Sequence, residues 1–465
     1  MEDSDRAERL RRLIIDKETP LFEAKLPRDV GRLGTRLMKT LNIQQQRAVL
    51  KCLAARDYAL MRGLPGTGKT QTISVLIQML VGLKQRVLVT AHTHSAVDTV
   101  LTRLPESLRI MRLGSTARVA PALHKRSENT LTADCDTPEK LTQLYDSMDV
   151  VGVTCLGAAH AMLTRTTFDL CIVDEATQVL QCTVLRPLFA AKRFVLVGDP
   201  EQLPPVVRSR AARRLGMEVS LFSRLMCDEA TSTLQLQYRM NQALADIANK
   251  VAYNDRLKCA DQKIAQARLN IDVQKIPQLS DSPWLSTACS PEPQHAALFL
   301  DVETVDDVVN ASNNKNSCTN STEACIVIAL VDALKQGNVQ SSDIGVIAPY
   351  RDQVSLLRRS LLHHAVEVST VDQFQGRDKP VIIYSCTRRP DKNDDKKLKE
   401  GEVLNDQRRL AVSVTRAKHK LIVIGNSAAL RRYAPLQKLI QTCVSDQLDK
   451  QDVDKVRDRY KIYVS

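Results

Sequence analysis

The segment GLPGTGKT, residues 63–70, constrains this chain more than any other, because it works on only one kind of scaffold. An apolar stretch ending in Ala59-Leu60-Met61 runs into it, and a helix-like run from Gln71 to Leu80 follows. That is the strand–loop–helix order a phosphate-binding loop requires. Gly63, Gly66 and Gly68 let successive backbone N–H groups turn inward without Cβ clashes. A helix starting near Lys69 turns its positive N-terminal end to the same anion. Lys69 is placed to reach the β- and γ-phosphates, and the Thr70 hydroxyl to ligate Mg²⁺. Pro65 and Thr67, with Gln71 just beyond the loop, are expected to line the nucleotide. The loop predicts ATP-type hydrolysis without saying what that hydrolysis drives.

At 465 residues the chain suits more than one core. Hydrophobic residues make up 43% and charged residues 26%, ordinary for a globular protein. The formal charge of +13 favours a polyanionic partner. The twelve cysteines are scattered, with no CxxC pair and no zinc spacing, which fits a reducing compartment. The first twenty residues are densely charged and do not read as a signal peptide. No run approaches the roughly 18 apolar residues of a membrane span.

Short apolar, β-branched runs recur between amphipathic stretches: 59–61, 86–91, 151–155, 168–173 and 194–198, then 297–301, 344–348, 366–369, 381–386 and 421–425. Strands this apolar suit parallel sheets covered by helices on both faces. Two such sets predict an α/β chain of two lobes, of which only the first carries a phosphate loop. The expected division is a helical remnant over 1–40, lobe 1 over 41–226 with a polar insertion near 113–149, lobe 2 over 227–445, and a charged tail over 446–465. The Asn/Ser-rich stretch 303–322 and the charge-dense stretch 391–402 read as surface loops.

FDLCIVDEATQ puts Asp174 and Glu175 at the end of an apolar strand, where Asp174 would hold Mg²⁺ through water and Glu175 would orient and deprotonate the attacking water. FVLVGDPEQLPP sends Asp199 and Gln202 off another strand end toward the same crevice, with Gln202 able to sense the γ-phosphate. The second half supplies what a lone ATPase does not need. QYRMN presents Tyr238 and Arg239; VSTVDQFQGRDK presents Thr370, Gln375, Gly376, Arg377 and Asp378; QRRLAVSVTRAKHK presents Arg409, Arg416 and Lys418. Arg239 and Arg416 are candidate arginine fingers, because a guanidinium binds phosphate oxygens bidentately and keeps its charge.

In this order the segments resemble a superfamily-1 helicase of the 5′-to-3′ branch that includes the RNA-surveillance helicases, over residues 41–426. The resemblance implies two tandem RecA-like domains. It makes Gln45 of LNIQQ the reader of adenine, Tyr238 the ring that stacks on that base, and Asp378 a further nucleotide-site residue. It also places Thr93, His94, Ser95, Thr154 and Thr370 in segments that contact a nucleic-acid backbone, which positions a strand without reading its sequence. Within the branch, VLVTAHTHSAVDTVL, VVGVTCLGAAH, LGMEVSLFSRL, SDIGVIAPYRDQV and RRLAVSVTRAKHKLIVIG look like the helicase part of the eukaryotic flap-processing helicase/nuclease family. Two departures stand out. Relatives carry Asn where this chain has Ala411, and the first motif begins at Leu41, so the family's upstream nuclease module, with its iron–sulfur cysteines, is expected to be absent.

The expectation is an ATP- and Mg²⁺-dependent helicase or translocase on single-stranded or flapped DNA in replication and repair. Its expected setting is the nucleus, with the mitochondrion as a second site, and its expected partners are a single-strand-binding protein and other replication factors. Two readings use the same residues differently: an RNA helicase of the surveillance type, or a truncated DNA-stimulated ATPase or scaffold that does not unwind.

Overall fold

The computed structural model describes residues 2–302, 318–388 and 402–464. They fall into two compact units, Met1–Leu236 and Gln237–Ser465. The core of the 303–322 stretch and most of 391–402 lie outside the described residues.

Unit 1 is built on seven strands: β1 (Tyr58–Gly63), β2 (Val87–Ala91), β3 (Ile110–Arg112), β4 (Val150–Thr154), β5 (Phe168–Asp174), β6 (Ala191–Gly198) and β7 (Thr231–Leu234). Their order is β3-β4-β2-β5-β6-β1-β7, and every neighbouring pair is parallel. Runs such as VLVTA and VVGVT are buried along their whole length, as expected for strands covered on both faces. One face packs under α2 (Arg28–Leu37), α3 (Ile43–Ala54), α4 (Lys69–Gly82) and α5 (His94–Thr102). The other packs under α1 (Glu2–Ile14), through Leu10, Leu13 and Ile14. Residues 1–40, read from sequence as a separate helical remnant, are therefore part of this unit. Arg9 of α1 forks onto Asp57 at 2.9 and 2.6 Å. Gly152 inside β4 has a packing reason, since a Cβ there would stand 2.4 Å from Leu101 Cδ1 on α5.

The break between units falls after Leu236, later than the expected 226/227, because β7 adds to β1 as an edge strand of the first sheet. β7 reads TSTL, too short and polar to announce itself. The expected insertion near 113–149 holds short 3-10 turns and the helix Pro138–Ser147.

After a two-residue pairing of β8 (Leu236–Gln237) with β9 (Lys258–Cys259), unit 2 forms its own sheet. Its strands are β10 (Ala297–Asp301), β11 (Ile344–Ala348), β12 (Glu367–Thr370), β13 (Lys379–Ser385), β14 (Ala417–Gly425) and β15 (Val444–Gln447). They run β12-β11-β13-β14-β10-β15, again all parallel. The helix Ser321–Gln336 is buried along most of its length in this core. The expected charged tail is instead a helix, Lys450–Val464, which buries Val453 and Tyr460 against it. Tyr460 donates its hydroxyl to Asp332 at 2.8 Å. Its many charges occupy the outward face of an amphipathic helix, which is why composition alone reads as a tail.

All twelve cysteines are free thiols. Burial pushes Cys52, Cys289 and Cys443 up to about 12, and Cys155 up to about 11, from an ordinary 9.0. The folded state therefore keeps protons that the unfolded chain releases above pH 9. This contribution to stability is complete below about pH 9 and is lost as the pH rises toward 11–12. Lys420 acts oppositely: burial lowers its amine to about 8, while it donates to the Thr287 and Ser290 carbonyls at 3.1 and 2.9 Å. One lysine is opposed by several thiols. The urea midpoint under reducing conditions is thus expected to be lower at pH 10 than at pH 8, and an equal or higher midpoint at pH 10 would contradict this.

Candidate nucleotide site and strand-facing rim

In unit 1 the phosphate loop joins β1 to α4, and Gly66 and Gly68 sit at φ +73° and +76°, where other residues are strained. Gly63 is needed for a different reason. A Cβ there would lie 2.2 Å from Lys69 Cγ, so the glycine makes room for the lysine stem. The Lys69 ammonium donates to the Gly63 carbonyl at 2.8 Å, which holds the charge inside the loop. The sheet order sets β6 between β1 and β5, so the ends of these three neighbouring strands deliver the loop, Asp174–Glu175 and Asp199–Gln202 to one edge. Ligand sites of open parallel sheets form at such carboxyl ends.

Asp174 is 7% exposed. Burial raises its carboxyl pKa first and the neighbouring Glu175 charge raises it further, against a lowering by Lys69. A divalent cation would offset both effects. One carboxylate and the Thr70 hydroxyl are hard oxygen donors of the kind Mg²⁺ accepts while keeping most of its water, so these residues fit the ion. Glu175 takes a left-handed backbone, φ +49°, costly for a residue with a Cβ. Its N–H donates to Asp174 Oδ1 at 2.9 Å, and Gln178 donates to Glu175 Oε2 at 3.2 Å. Gln178, the last residue of FDLCIVDEATQ, thus joins the site through a contact that its residue type does not announce. Gln202 is 4% exposed, and its amide donates to Asp199 Oδ2 at 3.0 Å.

Gln45, expected to read adenine, is buried and engaged at both ends. Its Oε1 accepts from the Asn42 N–H at 2.9 Å within a capping box on α3, and its Nε2 donates to the Thr67 carbonyl at 3.0 Å. The residue thus fastens a helix start to the phosphate loop.

The predicted strand contacts of unit 1 leave the same sheet edge. Thr93 and Ser95 are exposed after β2, their hydroxyls 3.2 Å apart, and Thr93 also caps α5 by accepting from Ala96. Thr154, at the end of β4, is buried and accepts from the Gly157 N–H at 3.2 Å.

In unit 2, Tyr238 is 46% exposed. Arg239 pairs with Asp378 at 2.8 Å and donates to the Thr415 carbonyl at 3.0 Å. Lys418 reaches the other Asp378 oxygen at 2.7 Å. Burial alone would raise the Asp378 carboxyl, but Arg239, Lys418 and Arg416 overcome it and hold it below its ordinary range. Arg416 is 2% exposed, donating to the Val412 and Arg377 carbonyls and to Thr415 Oγ1. Gln375 has both carboxamide atoms buried without a hydrogen-bond partner among the described residues. Thr370 is half-buried at the end of β12.

A phosphate loop, an acidic pair and a glutamine on neighbouring strands of one parallel sheet, followed by a second parallel unit, define a two-domain P-loop ATPase of RecA-like architecture. Two family profiles, each described as an AAA domain, match residues 40–210 in two overlapping segments and residues 217–428. The chain is 40% identical to the DNA replication ATP-dependent helicase/nuclease DNA2 of Mus musculus, over 96% of this chain and 43% of that protein. It is 36% identical to the DNA replication ATP-dependent helicase/nuclease JHS1 of Arabidopsis thaliana, over 94% of this chain and 32% of that protein. Among solved structures it is similar to the PRRSV helicase at 15% identity and a TM-score of 0.41, over 90% of this chain and 68% of that one. Over nearly its whole length the chain is similar to part of the DNA replication ATP-dependent helicase/nucleases, and the two AAA-domain profiles together cover most of it. It spans less than half the length of the curated relatives it matches.

Proposed function

We propose that this chain is an ATP-driven 5′-to-3′ motor on single-stranded DNA, a helicase or translocase serving replication and repair in the nucleus. The observation that carries the reading is the carboxyl edge of the unit 1 sheet, where Lys69, Asp174, Glu175 and Gln202 assemble beside the exposed hydroxyls of Thr93 and Ser95. Nucleotide chemistry and strand contact then share one set of strand ends, so a shift in one is felt by the other.

In this reading Lys69 and the loop N–H groups hold the triphosphate, with Pro65, Gly66, Thr67 and Gln71 around it. Thr70 and Asp174 hold Mg²⁺, which would neutralise charge on the phosphate oxygens when bound. Glu175, oriented by Gln178, takes the proton from the attacking water. Gln202 contacts the γ-phosphate and, through Asp199, reports its loss to β6. Tyr238 stacks on the base, and Gln45 trades its Thr67 bond for the base edge. Arg239 and Arg416 leave their resting partners to neutralise transition-state charge, a role worth on the order of 10³-fold or more in rate. Thr154 and Thr370 join Thr93, His94 and Ser95 as backbone contacts. A single-strand-binding protein and other replication factors are the protein partners this role calls for. Two related proteins carry DNA replication in their names, which favours DNA over RNA as the strand.

The deciding experiment compares ATP hydrolysis stimulated by matched DNA and RNA oligonucleotides, followed by strand displacement on a 5′-tailed duplex. Stimulation by DNA several-fold above RNA, with ATP-dependent displacement, is expected. Equal stimulation by RNA would remove the DNA assignment, and hydrolysis without displacement would reduce the chain to a translocase.

A further inference from the structure

Arg112, at the end of β3, is a 0%-exposed arginine that the nucleotide chemistry does not use. Each of its three guanidinium nitrogens has a partner. Nε donates to Asp98 Oδ1 at 2.6 Å, Nη1 to the Leu113 carbonyl at 2.5 Å, and Nη2 lies 3.1 Å from Nδ1 of His94. Asp98 is fixed in turn, since its Oδ2 accepts from the Ala120 N–H at 2.8 Å. Gly114, at φ +129°, lets the backbone turn close to this pair: a Cβ there would be 3.6 Å from Arg112 Nη1 and 3.9 Å from His94 Cε1.

A guanidinium can only donate. His94 Nδ1 must therefore accept, and the ring proton must sit on Nε2, which has no partner among the described residues. The charged groups that face the ring are Arg112 on β3, Asp98 on α5 and Arg118 in the turn after β3. Burial, then Arg112, lower the imidazole pKa, and Arg118 adds to this, while Asp98 alone opposes. Asp98 is already occupied by Arg112 and the Ala120 N–H.

We propose that Arg112 is a positioning residue that locks His94 as the Nε2–H tautomer, so that the imidazole meets the nucleic-acid backbone as a fixed, neutral N–H donor. This rests on the strand-binding reading of the rim at Thr93–Ser95. The contact differs in kind from lysine or arginine contacts. A neutral donor displaces no counterion, so it orients a phosphate oxygen without adding to the salt-sensitive part of the affinity. Protonation of the ring is opposed, because a proton on Nδ1 would break its hydrogen bond and face the Arg112 guanidinium.

The test uses the full chain labelled with ¹⁵N-histidine, with His94→Gln identifying the His94 signals. Long-range ¹H–¹⁵N correlation at pH 8 is expected to show a pyrrole-type Nε2 and an imine-type Nδ1, with a His94 midpoint below the ordinary 6.5. Adding an oligothymidylate should then move the Nε2 signal. A proton on Nδ1, or a His94 midpoint at or above the ordinary 6.5, would overturn the proposal. So would an unmoved Nε2 signal when fluorescence anisotropy shows the oligomer bound. Arg112→Lys keeps a cation beside Asp98 and removes the fork; oligomer affinity at pH 7.5 should fall about five-fold, as for loss of one hydrogen bond. It should recover toward pH 6 as the released ring protonates. Affinity equal to wild type at both pH values would count against the proposal, and if the variant does not fold the wild-type spectra decide. An oligomer that fails to bind wild type at all refutes the strand-binding reading, and with it the strand contact of His94, while the ring signals still report whether Arg112 sets the tautomer.

Discussion

Replacing Lys69 with alanine is expected to lower DNA-stimulated ATP hydrolysis by about 10²–10³-fold, the usual cost of removing one preorganised charge from a phosphoryl-transfer site. The loop has no substitute for it. Gly63 leaves space for the Lys69 stem, and the ammonium is already held within the loop by the Gly63 carbonyl. Triphosphate therefore meets a charge that needs little rearrangement. The loop N–H groups and the N-terminus of α4 remain in the variant, so some nucleotide binding should survive. Oligothymidylate binding, followed by fluorescence anisotropy, should stay within a few-fold, because Thr93, Ser95 and Thr154 lie on other strand ends. Hydrolysis at the wild-type rate would remove the ATPase assignment altogether.

Glu175→Gln is expected to separate binding from chemistry. The shape of the side chain and its contact with Gln178 are largely kept, and the negative charge is lost. Removing a general base costs about 10²–10⁴-fold in the chemical step. With one anion fewer beside it, the Asp174 carboxyl should ionise more readily, so affinity for Mg²⁺ and ATP should hold or improve. Single-turnover hydrolysis of labelled ATP, set beside equilibrium binding of the same nucleotide, reads the two effects apart. Single-turnover hydrolysis within a few-fold of wild type would give the base role to another residue.

Central strands were legible from residue type alone. VLVTA, VVGVT and IGVIA are apolar and β-branched because a parallel strand with neighbours on both sides is buried on both faces. Edge strands lacked that signal: TSTL of β7 and VSDQ of β15 pair on one side only, and nothing requires them to be apolar. Missing β7 is what displaced the boundary between the units. At the site, residue types announced themselves and their present partners did not. No sequence pattern says that Gln45 spends its amide on Thr67, that Asp378 holds Arg239, or that Glu175 sits at positive φ. Such contacts depend on where backbone carbonyls come to rest. Arg112 had no signal of any kind; it reads as one basic residue among 66 and becomes distinctive only through complete burial.

The order of strands in unit 1 also has a consequence in time. β1, which leads into the phosphate loop, pairs with β6 and β7, both made long after it. A ribosome that has finished Gly63 must still deliver residues up to Leu234 before β1 is flanked on both sides, about ten to thirty seconds at ordinary synthesis rates. Through that interval an apolar strand and a glycine-rich loop travel without their neighbours. The nucleotide site is thus among the first parts of the unit to be synthesised and among the last to exist.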